Sequence, residues 1–133
     1  MAIDTHKYNE FVDAVTSDES KVYLAFEKRV FDLEKEVAVE RLLTSALGLC
    51  AESGEFTEVV KKIIFQGKPY NEENVFHMKR ELGDICWYLS QACMALGTTF
   101  DEVIEMNVDK LKKRYPGGEF DVHYSENRQE GDL

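Results

Sequence analysis

Only two prolines, Pro69 and Pro116, occur in the 133 residues, and each follows a long helical pattern rather than interrupting one. Strand signals are nearly missing before the tail, which argues against a sheet protein. No apolar run is long enough to span a membrane, and the N-terminal MAIDTHKYNEF lacks the apolar core of a signal peptide. A cytoplasmic protein, in the host cytoplasm if viral, with no membrane partner is therefore expected. No P-loop or other glycine-rich phosphate cradle is present, and no Ser-His-Asp or Cys-His arrangement can be defended. Cysteine is scarce too. Cys50, Cys86 and Cys93 are odd in number, lack CxxC spacing and fall among apolar neighbours, so all three are expected to be buried, reduced thiols. Positive charge is the scarcer sign: 16 Lys and Arg stand against 26 Asp and Glu, for a net charge of -10 and a pI near 4.8. That balance excludes a polymeric nucleic-acid partner, which needs a basic footprint. It does not exclude a single nucleotide, because a bound divalent cation reverses the local field.

What is present fits a globular chain, 44% hydrophobic and 32% charged. We read 1–133 as a single domain with a core over about 36–115 and a tail, 116–133, that is a packed arm or a loose end. Helices are expected over about 5–15, 18–30, 36–65, 72–96 and 101–115, giving an all-α bundle of four to five helices. Thr16 with Glu19 and Thr99 with Glu102 have the form of capping boxes. Asn71 is placed to cap the helix that opens with Glu72 and Glu73.

On a wheel of about 100° per residue with Glu52 at zero, the apolar residues of 42–64 form an arc centred near 90°. Glu52 lies at its edge, and Glu55 follows three residues later on the same flank. Residues 75–96 repeat the pattern, with Glu81 at the apolar margin and Asp84 three residues on. If the two helices pack antiparallel by their apolar faces, four carboxylates converge. Left unneutralised they repel one another and lose hydration. A hard cation such as Mg²⁺, with Mn²⁺ as a substitute, resolves the conflict through oxygen ligands. The bland alternative is a solvated acidic flank. A di-iron centre is disfavoured because it needs Glu-x-x-His on two helices. His77 follows Glu73 by four and is read as lying on the wrong side of the helix for these acids.

On the last helix, Asn107, Lys110 and Arg114 share one flank of the apolar stripe, a combination suited to phosphate oxygens or to salt bridges with the acidic surface. Lys62 points near the Glu55 direction and is the best further phosphate candidate. Phe76, Trp87 and Met94 form a second apolar patch, explained most economically by self-association, with burial under the N-terminal helices or a base pocket as alternatives. Gly54, without a side chain, is expected to let a helix or ligand come close.

Glu52-x-x-Glu55 followed by Glu81-Leu82-Gly83-Asp84 resembles the E-x-x-E and E-x-x-D signature of MazG-like nucleoside triphosphate pyrophosphohydrolases. Asn107-x-x-Lys110-Leu111-x-x-Arg114-Tyr115 is similar to that family's phosphate-binding helix. The likeness runs from about Leu42 to Tyr115 and suits the short, single-domain bacterial and phage type. It implies Mg²⁺-dependent cleavage of (d)NTPs at the α–β phosphoanhydride to a monophosphate and pyrophosphate, in a homodimer or homotetramer. It places Glu52, Glu55, Glu81 and Asp84 at metal-ligand positions and Tyr88 at a nucleotide contact. One of Glu52 and Glu55 would then be the general base, and the more open flank of Glu55 favours it. The reading from another class is a non-catalytic helical module that binds a nucleotide or a protein.

Overall fold

The computed structural model describes residues 2–132, and among them every regular element is a helix. There are seven: α1 (Thr5–Ala14), α2 (Asp18–Lys21), α3 (Tyr23–Leu33), α4 (Val39–Phe65), α5 (Glu72–Leu96), α6 (Phe100–Arg114) and α7 (Val122–Glu126). They fall into two compact units, divided after Glu40. The all-α class stands, with more and shorter helices at both ends than periodicity suggested.

In the first unit, the Asp4 carboxylate caps α1 by accepting from the amides of His6 and Lys7 at 3.1 and 3.2 Å. The expected Thr16–Glu19 capping box does not form. The Thr16 hydroxyl instead donates back to the Val12 carbonyl at 2.6 Å, closing α1, and Ser17 takes the N-cap of α2. The single helix expected over 18–30 is broken at Val22, whose backbone is extended, and resumes as α3. The helix expected from 36 begins at Val39. Before it, the amides of Glu36 and Val37 both bond back to the Leu33 carbonyl, and the Glu34 carboxylate accepts from the Val39 amide at 3.1 Å.

The second unit holds the long helices, and local signals set their ends. Asn71 accepts from the Asn74 amide at 2.9 Å and starts α5. Gly97, at φ 66°, stops it, and the Thr98 amide reaches back to the Cys93 carbonyl. Thr99 caps α6 through the Glu102 amide, while the Glu102 carboxylate bonds the Thr98 hydroxyl, so only half of the expected capping box is made. The tail is an arm: α7, capped by Asp121, is followed by Asp132, which is buried.

α4 and α5 run antiparallel. Arg41, early in α4, donates to the Met94 sulfur late in α5 at 3.2 Å, Gly48 faces Tyr88, and Glu52 faces Glu81. Ser45, Val59 and Cys93 are among the few buried residues. Large apolar residues remain exposed on all three long helices, among them Leu47 and Ile64 on α4, Phe76, Met94 and Trp87 (56% exposed) on α5, and Met106 on α6. The expectation of three buried thiols is corrected: Cys93 is buried, but Cys50 and Cys86 are exposed. Both exposed cysteines lie well round their helices from the seam, at about 160° from Glu52 and about 140° from Glu81.

Candidate active site

The seam between α4 and α5 is built on small residues. Ser45 and Gly48 are buried, and a Cβ on Gly48 would lie 2.1 Å from Cδ1 and Cε1 of the Tyr88 ring. Only glycine lets that ring lie against α4. The buried or half-buried Leu42, Ser45, Gly48, Leu49, Phe56, Val59, Val60 and Ile63 span an arc from about 40° on one side of Glu52 to about 80° on the other on the helical wheel. Glu52 thus sits inside the packed face, not at its edge. The face turns away from the larger Leu43 and Leu47 because the missing side chain at Gly48 makes room for the Tyr88 ring. No neighbouring helix comes within 4 Å of where a Gly54 Cβ would stand, so it is Gly48 rather than Gly54 that admits a second helix.

Glu52, Glu81 and Asp84 each offer a carboxylate oxygen, and these oxygens lie within 4.8 Å of one another. The Glu52 carboxyl is pushed above the ordinary carboxylate range, first by desolvation in the seam, then by its hydrogen bond with Glu81 and by the charges of Asp84, Glu81 and Glu55. Glu55 is exposed beside this trio, close enough for its charge to act on Glu52 but outside the set one ion could span with single oxygens. The donor set is all oxygen and strongly anionic, which suits a hard divalent cation rather than a thiolate- or imidazole-seeking metal.

His77 is nearer to this cluster than expected. Its Nε2 lies 2.9 Å from Glu81 Oε1, so it shares the flank of the acids rather than lying on the wrong side. The signal was available in the i,i+4 spacing from His77 to Glu81. Looking back to Glu73 hid it.

The cationic candidates are placed elsewhere. Lys62 pairs with Glu58 on its own helix at 2.8 Å and holds that carboxyl below its ordinary range. Asn107, Lys110 and Arg114 line a cleft of about 530 Å³ closed by Gln129–Asp132 of the arm, and none of the four acids lines it. There, Arg114 Nε and Nη2 donate to the two oxygens of Asp132, both at 2.6 Å, and Lys110 Nζ lies 4.0 Å from the same carboxylate. The Arg114 hydrogen bonds hold the Asp132 carboxyl below its usual range. Tyr88 stands one turn from both Glu52, through Gly48, and Asp84.

Residues 40–118 match the MazG nucleotide pyrophosphohydrolase domain. The chain belongs to this family. It is also similar to the Gene 37 protein of Mycobacterium phage L5, at 33% identity over 82 residues, which is 61% of this chain and 72% of that protein. No solved structure matches it. The MazG match takes in nearly all of α4 with α5 and α6, and so includes both the acid cluster and the basic flank. Asp132 lies beyond it.

Proposed function

We propose that this MazG-family chain hydrolyses (deoxy)nucleoside triphosphates at the α–β phosphoanhydride, with Mg²⁺ as cofactor and Mn²⁺ as a substitute. One observation carries the reading: three carboxylates from two antiparallel helices stand within 4.8 Å of one another, with Glu55 beside them. Glu52, Glu81 and Asp84 would hold the cation, with Glu55 beside them. When bound, it supplies Lewis-acid polarisation of the phosphates and neutralises their charge. Glu55, on the open flank, takes the proton from the attacking water. Water oxygen joins the α-phosphorus, and pyrophosphate leaves with the bridging oxygen. Tyr88 contacts the nucleotide from its place beside Gly48. Lys62, Asn107, Lys110 and Arg114 are assigned to phosphate, which requires Arg114 to exchange Asp132, and Lys62 to exchange Glu58, for substrate oxygens.

The apolar faces left open on the three long helices support a homodimer or homotetramer. The net charge of -10 supports a free nucleotide rather than a polymer as substrate. Among the described residues no helix is long and apolar enough to cross a membrane, and a cytoplasmic location is part of the proposal. The exposed Trp87 patch favours one further reading, a non-catalytic protein- or nucleotide-binding module.

Incubation with each (d)NTP and Mg²⁺, with products separated by ion-exchange chromatography, decides the matter. Metal-dependent release of monophosphate and pyrophosphate is expected. Release of orthophosphate alone, or no metal-dependent turnover, overturns the reading. Calorimetric titration with Mg²⁺ and a non-hydrolysable nucleotide then shows whether the module reading survives.

A further inference from the structure

Glu81 has only 12% of its side chain exposed, yet its neighbours at the seam are two more acids, Glu52 and Asp84. A carboxylate there has every electrostatic reason to rotate toward water. Besides the hydrogen bond it shares with Glu52, what the structure sets against that rotation is His77, whose Nε2 stands 2.9 Å from Glu81 Oε1, one turn back on α5. Because both residues are on one helix, the backbone fixes their separation, and the 2.9 Å contact with His77 Nε2 restricts the remaining side-chain torsions of Glu81. His77 itself is half exposed, at 48%, so packing does not account for it. Its outer side lines an open cleft with Lys68, Asn74 and Arg80.

We propose that His77 is a positioning residue: through the 2.9 Å contact of its Nε2 it holds one oxygen of the Glu81 carboxylate so that the other is kept for a divalent cation shared with Glu52 and Asp84. The inference rests on the metal reading above and assigns a role outside the four acids. Hydrogen-bonded partners of metal ligands fix ligand orientation, and their loss typically costs 10- to 100-fold in metal affinity. A half-exposed i,i+4 pair with no such role would leave metal affinity unchanged.

The test is Mn²⁺ binding to the metal-free protein, without nucleotide, by calorimetry and electron paramagnetic resonance. His77→Ala and His77→Phe, the second keeping a ring but no donor, are expected to weaken Mn²⁺ binding about 10- to 100-fold. His77→Gln, which retains an amide N–H, is expected to restore most of it. Thermal unfolding of the metal-free variants is expected to match the wild type, and the Phe and Gln pair carries the comparison if Ala folds poorly. Wild-type-like Mn²⁺ affinity in both donor-less variants overturns the role of His77 and leaves the metal reading intact. No Mn²⁺ binding by the wild type overturns both.

Discussion

Where α4 meets α5, three carboxylates crowd within 4.8 Å of one another; where α6 meets the C-terminal arm, one carboxylate is gripped by one cation with a second 4.0 Å away. Both regions carry the charges that nucleotide chemistry calls for. They differ in whether the chain itself has already neutralised them. At the arm, the bidentate Arg114–Asp132 pair is complete, and each partner's carboxyl or guanidinium is stabilised in its charged form. At the seam, desolvation and the like charges of Asp84, Glu81 and Glu55 push the Glu52 carboxyl toward the neutral form. A region under uncompensated like charge is built for a partner from outside. A compensated one is built to hold the fold, or to exchange its partner for another anion.

The largest effects break the comparison at the seam. Glu55→Gln removes the proposed base and is expected to lower kcat by about 10²- to 10⁴-fold, measured under saturating Mg²⁺ and nucleotide. Asp84→Asn is expected to abolish turnover while raising the melting temperature of the metal-free protein, because it removes one of the like charges on Glu52. A variant that is dead but more stable marks an acid kept for chemistry at the expense of the fold. Wild-type-like activity in either variant refutes its role, and a lower metal-free melting temperature in Asp84→Asn refutes the claim of repulsion.

The next effect in size tests how the seam is spaced. Alanine gains about 1 kcal/mol over glycine inside a helix, but forcing extra atoms into a packed site typically costs about 1–3 kcal/mol. With a Cβ placed 2.1 Å from the Tyr88 ring, the second term wins at Gly48. Gly48→Ala is expected to lower the denaturation midpoint, and adding Tyr88→Ala is expected to recover part of the loss. An unchanged or raised midpoint in Gly48→Ala would show that Tyr88 moves aside freely.

Much of this was readable from the chain, and the limits are physical. The ends of α5 were legible because Asn71 and Gly97 act on their own neighbours, and the acid pairs were legible because three-residue spacing needs no tertiary knowledge. Which side of α4 meets α5 was not. Leucines flank the helix on a second sector, Leu43 and Leu47 among them, so apolar content pointed to one side of the seam that Ser45 and Gly48 define. The break at Val22 escaped because α2 and α3 continue a helical pattern on both sides of one extended residue. Arg114 and Asp132 stand 18 residues apart across a turn and α7, and no periodicity reports such a closure.

The smallest effect separates the two regions by the sign of their pH response. Asp132 has a lowered pKa in the fold, so its contribution is fully present above the ordinary carboxylate range and is lost as pH falls through the folded value. Glu52 has a raised one, so the metal-free seam is favoured at acid pH and loses that support as pH rises from the ordinary value through the folded one. Amide hydrogen exchange on metal-free protein, corrected for intrinsic rates, should then show protection of 128–132 falling on acidification while that of the seam helices rises. Asp132→Asn is expected to release the arm at every pH and to abolish its pH dependence, leaving the seam response in place. Because the variant also frees Arg114, its KM for nucleotide is expected to fall if the α6 flank takes phosphate. An unchanged KM would assign the Arg114–Asp132 pair to holding the arm alone.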